Sequence, residues 1–174
     1  MSKKISTLID EDELNKAITA LASRLEEEYR GKAPVFIVIL KGAFVFASRL
    51  LLKMDIQLNV DFMVISSYGS RKVSSGIVRI EEDLTINIED RHVVIVEDII
   101  DTGTTLSFLK KKVLANNPKS LKIITLLDKP SRRKTELIPD HSCFEIEDRF
   151  VVGFGLDHAQ YYRNLPFVGI LMEE

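Results

Sequence analysis

The chain has 174 residues, of which 45% are hydrophobic and 29% charged, with a formal net charge of -2 and an isoelectric point near 6.0. That length suits one domain, spanning 1–174, with a proper hydrophobic core, and the charge balance gives no general affinity for nucleic acid or an anionic membrane. The lone cysteine, Cys143, excludes an internal disulfide and fits a cytoplasmic location; no apolar run approaches a bilayer span, and residues 1–16 contain no signal-peptide core.

The first predicted element is a helix over residues 10–29. Leu14, Ile18, Leu21 and Leu25 fall on one stripe, Asp10 and Glu13 make a capping box, and Gly31 suits the position beyond the C-cap. Pro34 opens a strand over 35–40 that ends at Lys41-Gly42, and a helix fits 43–54. Residues 59–67 form a strand rich in β-formers, followed by a polar stretch over 68–76 and a short strand at 77–80. Val93, Val94, Ile95 and Val96 are β-branched in succession, the pattern of a strand buried on both faces. Directly after them come Glu97, Asp98 and Asp101, then Thr102-Gly103-Thr104-Thr105, then a helix with Leu106, Leu109, Val113 and Leu114 inward. Asn116-Asn117-Pro118 stops that helix, and 121–127 makes another strand. The last third holds short strand-like runs at 143–150, 151–154 and 168–172. Strands alternating with helices predict an α/β fold with a mostly parallel central sheet flanked by helices.

The unusual polar residues fall just after apolar strand runs: Lys41-Gly42, Ser67-Tyr68, Glu97 to Thr105, and Asp128-Lys129-Pro130. In an open α/β sheet, ligands bind in the crevice outside the carboxyl ends of the strands. The hydroxyl cluster Thr102 to Thr105 opens a helix, where free N–H groups and the dipole favour a phosphate. Three carboxylates beside a phosphate cradle repel phosphate, so the ligand must also offer sugar hydroxyls or a divalent cation. The implied ligand is a sugar phosphate with a metal.

Other motifs give less. No Walker-type phosphate loop is present. Gly153-Phe154-Gly155-Leu156-Asp157-His158 reads as a strand end and turn, His92, His141 and His158 lack metal-ligand spacing, and Cys143 reads as a small core residue. In the short basic cluster Lys129, Arg132, Arg133, Lys134, the last three read as a solvated loop or helix start.

Residues 94–106 resemble the phosphoribosyl pyrophosphate motif of the type I phosphoribosyltransferases. Together with Leu40-Lys41-Gly42, Ser67-Tyr68, Leu127-Asp128-Lys129-Pro130, and Phe150-Val151-Val152-Gly153 through Asp157 to Tyr161-Tyr162-Arg163, nearly the whole chain is similar to the hypoxanthine-guanine branch of that family. One departure is Thr104, where some members carry Lys. The resemblance implies a type I fold with a small hood, Mg²⁺ as cofactor, small-molecule substrates (phosphoribosyl pyrophosphate and 6-oxopurines), and a homodimer or homotetramer. It implies that Glu97 and Asp98 hold the ribose hydroxyls directly or through Mg²⁺. Asp101 then handles the proton on purine N7, and Thr102, Gly103, Thr104 and Thr105 cradle the 5′-phosphate. Lys41 and Gly42 match a pyrophosphate loop with a non-proline cis peptide, Lys129 a donor to purine O6, Phe150 a stacking platform, and Val151 a backbone reader of the base edge. Asp157 corresponds to a second Mg²⁺ ligand beside the base, Arg163 to a pyrophosphate grip, and Ser67, Tyr68 and the loop to Gly76 to a closing lid. Two rivals are a regulator that binds phosphoribosyl pyrophosphate without catalysis and a phosphoacceptor receiver domain. Asp101, Lys129 and the absence of an appended DNA-binding segment speak against the first. The mid-chain position of Glu97-Asp98 speaks against the second.

Overall fold

A computed structural model describes residues 4–68 and 77–172. Its main sheet has six strands: β2 (Val35–Leu40), β3 (Asn59–Tyr68), β4 (Ile77–Glu82), β5 (His92–Ile100), β6 (Ser120–Asp128) and β7 (His141–Glu145), in the order β4-β3-β2-β5-β6-β7. All neighbours pair in parallel except β3 with β4. The expected mostly parallel sheet is therefore present. A second, antiparallel sheet of three strands forms the hood, in the order β1 (Ile5–Ile9), β9 (Val168–Leu171), β8 (Val151–Val152).

Three helices cover the main sheet: α1 (Glu11–Tyr29), α2 (Phe44–Leu51) and α3 (Thr104–Leu114). α1 starts as expected. Asp10 Oδ1 accepts from Glu13 N at 2.8 Å and Glu13 Oε2 accepts from Asp10 N at 3.0 Å, which closes the capping box. The two central strands are buried on both faces because side chains alternate along each. Phe36, Val38, Val94 and Val96 join Leu14, Ile18, Leu25 and Phe46 of α1 and α2 on one side. Val35, Ile37, Val93 and Ile95 join Leu106, Leu109 and Val113 of α3 on the other. The hood is fastened to the first core through Ile9, Val151, Phe154 and Val168. Among the described residues, no helix is long and apolar enough to cross a membrane.

Several boundaries differ from the sequence expectation. β1 was not expected; its exposure pattern is buried only at Ile9, so no local apolar signal marks it, and pairing with β9 creates it. α2 ends at Leu51 rather than residue 54. The run 143–150 is not one strand: β7 spans His141–Glu145, and the chain then leaves the sheet, which brings Phe150 to the surface. Leu114, expected inward, is 46% exposed at the end of α3. Arg132 and Lys134 are exposed, as expected of a solvated run, whereas Arg133 is half-buried and ion-paired with Asp128.

Candidate active site

β5 is longer than the apolar run that announces it. Glu97 and Asp98 lie within the strand, near its carboxyl end, rather than after it. Their carboxylates crowd: Glu97 Oε1 accepts from Asp98 N at 3.2 Å, and Asp98 Oδ1 accepts from Ile99 N at 2.7 Å. Burial, reinforced by the neighbouring Asp98 charge, pushes the Glu97 carboxyl well above the usual carboxylate range; burial raises Asp98 as well. Two half-buried acids side by side are an arrangement that a cation or a set of hydroxyl donors would relieve.

Gly42 sits against this pair. A Cβ built on Gly42 would overlap the Asp98 carboxylate, so only glycine lets the β2–α2 turn pass so close. The Leu40–Lys41 peptide at that turn is cis, as the resemblance implied.

After β5 the chain turns through Asp101 to Gly103, the N-cap of α3, whose φ of 78° suits glycine. Gly103 has no side chain to bond the first turn of α3; Thr104 N makes a long bond to Thr102 Oγ1 at 3.4 Å, and a helix N-terminus of this kind favours an anion. The turn is buttressed from below. Arg133 is ion-paired with the buried Asp128 and donates to the Asp101 carbonyl at 3.3 Å, while Lys134 N donates to Thr102 O at 2.9 Å. Arg132 Nε donates to Asp101 Oδ1 at 3.0 Å. Sequence reasoning missed both arginines; the only local signal was a basic cluster beginning at Lys129.

On the opposite wall, Arg163 is ion-paired with Asp157 Oδ1 at 2.8 Å and donates to the Gly155 carbonyl at 2.7 Å, and Asp157 Oδ2 accepts from Gln160 N at 2.7 Å. The result is a cleft of about 290 Å³ that brings together Gly42, Glu97, Asp98, Asp101, Thr102, Gly103, Thr105, Asp157 and Arg163. Lys41 and Thr104 are exposed at its edge and do not line it.

Lys129, Phe150 and Val151 also lie outside that lining but are tied to it. Lys129 N donates to the carbonyl of Ile100, a cleft residue. Lys129 is only 8% exposed although basic, and Nζ donates to Arg149 O at 2.6 Å. Phe150 is 55% exposed and packs edge-on to His158, with centroids 5.6 Å apart, next to Asp157. Val151 begins β8 and pairs with Ile170. Ser67 and Tyr68 end β3; the rest of the expected lid, 69–76, lies outside the described residues. Among the described residues, no group of three or more His, Cys, Asp or Glu side chains could hold a metal ion alone.

The family model for the phosphoribosyl transferase domain matches residues 5–159. The chain is 48% identical over 164 residues to a hypoxanthine-guanine phosphoribosyltransferase of Bacillus subtilis, covering 94% of this chain and 91% of that one. It is also 48% identical over 167 residues to the bifunctional protein TilS/HprT of Listeria monocytogenes, covering 96% of this chain but only 26% of that longer protein. The crystal structure of a hypoxanthine-guanine phosphoribosyltransferase from Bacillus anthracis superposes with a TM-score of 0.92 at 43% identity, covering 98% of this chain and all of that one (100%). Fold, near-complete coverage and identity agree with the motif at the end of β5, and the chain belongs to the phosphoribosyltransferase family.

Proposed function

We propose that this chain, acting as one domain over 1–174, transfers the 5-phosphoribosyl group from phosphoribosyl pyrophosphate to hypoxanthine or guanine in purine salvage. The products are IMP or GMP and pyrophosphate. The observation that carries this reading is the composition of the single cleft described above. Paired acids and a threonine loop form one wall, Arg163 with Asp157 forms the other, and a buried lysine beside an exposed phenylalanine adjoins them. The curated B. subtilis relative bears the same activity in its name.

In this mechanism the ribose C1 bond to pyrophosphate breaks as a bond to purine nitrogen forms. Positive charge grows on the sugar and negative charge on the leaving group. Thr102 to Thr105 hold the 5′-phosphate with N–H and hydroxyl donors, and Glu97 and Asp98 hold the ribose hydroxyls. Arg163, a planar fork, and Lys41 take the charge of the departing pyrophosphate. Lys129 donates to O6, Phe150 stacks on the base, the Val151 backbone reads its edge, and Asp101 accepts the N7 proton. Ser67 and Tyr68 close the site against water. No protein nucleophile is required.

The carboxylate oxygens of Glu97 and Asp98, and that of Asp157 for a second ion, fit Mg²⁺, a hard cation that takes one or two carboxylates and completes its shell with ligand oxygens and water. When bound, Mg²⁺ supplies charge neutralisation on the leaving pyrophosphate. The family resemblance supports a homodimer or homotetramer, and the lone cysteine is in keeping with a cytoplasmic enzyme. Incubation of the purified protein with phosphoribosyl pyrophosphate, Mg²⁺ and each of hypoxanthine, guanine and xanthine tests the reading. It expects nucleotide and stoichiometric pyrophosphate from the first two; no product with either base would refute it.

A further inference from the structure

We propose that Arg132 is a positioning residue for Asp101, an inference that rests on the transferase reading above. Asp101 sits on a turn and is partly exposed, so nothing in its own backbone fixes its carboxylate. Arg132 does so from 31 residues away in sequence: its Nε donates to Oδ1 at 3.0 Å, and Oδ2 has no hydrogen-bond partner among the described residues. One oxygen is therefore held while the other is left to take a proton.

Arg132 is itself constrained at both ends. Its backbone closes a single 3-10 turn, Pro130–Arg132, with Arg132 N donating to Lys129 O at 3.1 Å. Its Nη1 lies 3.6 Å from Asp148 Oδ2. Asp148 also lies 3.9 Å from Lys129 Nζ, and the next residue, Arg149, accepts from that same Nζ at 2.6 Å. Arg132 thus bridges two halves of the site: the turn that carries the proton acceptor, and the segment before Phe150 that carries the base platform. A carboxylate fixed relative to the base plane is what proton transfer from a bound purine needs, since reacting groups must be held in line and a misplacement of about 1 Å costs on the order of 10²-fold.

Arg132→Gln keeps the length and polarity of the side chain but removes the cation, and Arg132→Lys restores it. The glutamine variant is expected to lose about 10-fold to 100-fold in kcat with hypoxanthine, at unchanged KM for phosphoribosyl pyrophosphate and unchanged Tm. Arg132→Lys is expected to recover most of that loss. In an Asp101→Asn background, Arg132→Gln is expected to change kcat less than about 2-fold, because a residue that acts through Asp101 has nothing left to position. Wild-type kcat in Arg132→Gln would overturn the proposal, as would an equal loss in the Asp101→Asn background, which would mark a merely structural role. Absence of transfer by the wild-type protein itself would instead sink the transferase reading, and this inference with it.

Discussion

Substitution of Gly42 by alanine tests the tightest contact in the site. The added methyl would occupy the space of the Asp98 carboxylate, so something must move. If Asp98 rotates away, it gives up the bond that Oδ1 accepts from Ile99 N at 2.7 Å; a hydrogen bond to a charged group is worth about 1.5–3 kcal/mol. If the turn retreats instead, the Gly42 carbonyl presses on Gly155, where even a Cβ could not be accommodated. Overpacking of this kind costs about 1–3 kcal/mol. Either route gives a destabilisation of about 1–3 kcal/mol, and either one displaces the group assigned to the ribose hydroxyls, with a loss of about 10²-fold in kcat/KM. Thermal unfolding and steady-state nucleotide formation measure the two effects. Asp98→Ala removes the obstructing atoms, so Gly42→Ala should destabilise an Asp98→Ala protein far less than it destabilises the wild type. A Gly42→Ala protein with wild-type Tm and wild-type kcat/KM would refute the argument. So would equal destabilisation in both backgrounds.

Asp101→Asn is nearly isosteric, so phosphoribosyl pyrophosphate should still bind while kcat falls by roughly 10²–10⁴, the worth of a positioned acid–base group; near wild-type turnover with hypoxanthine would remove Asp101 from the mechanism. Lys129→Met keeps the alkyl stem and should lose about 1.5–3 kcal/mol in kcat/KM for 6-oxopurines while discriminating less against adenine. Unchanged hypoxanthine kinetics with undiminished rejection of adenine would contradict its role. Asp61 is buried beneath the β4–β5 connection, where it accepts from Thr85 N, Ile86 N, Phe62 N and the Thr85 hydroxyl. Burial alone would raise its pKa, but these bonds together outweigh it and hold the carboxyl below its ordinary value of 3.8. A depressed folded-state pKa means that the stabilisation is present above the unfolded value and lost as pH falls through the folded one. The Tm advantage of the wild type over Asp61→Asn should therefore be full near neutrality and shrink below about pH 4; a gap independent of pH would show that the charge contributes nothing.

The elements legible in the sequence are those whose cause is local. The capping box of α1 uses residues three apart, and Val35–Leu40 matches the observed strand because every residue is apolar and all but Leu40 are buried. The turn from β5 into α3 was visible because carboxylates, a glycine and hydroxyls at a strand-to-helix junction carry their chemistry in their order. The contacts that shape the site are set elsewhere. β1 has no apolar alternation of its own and exists because β9 pairs with it from the far end of the chain. The partner of Asp101 is an exposed arginine in a short basic cluster, and such a cluster gives no sign of which acid each member will meet. Gly42 could be suspected of a close approach, but that it meets Asp98 on one side while its carbonyl meets Gly155 on the other follows from bringing β2, β5 and the segment after β8 together. Periodicity and turn chemistry are properties of neighbours along the chain, and so the sequence alone determined α1, the central strands and the turn from β5 into α3. Which charge faces which, and which backbone must be bare, depends on distances that exist only once the sheet and hood have packed.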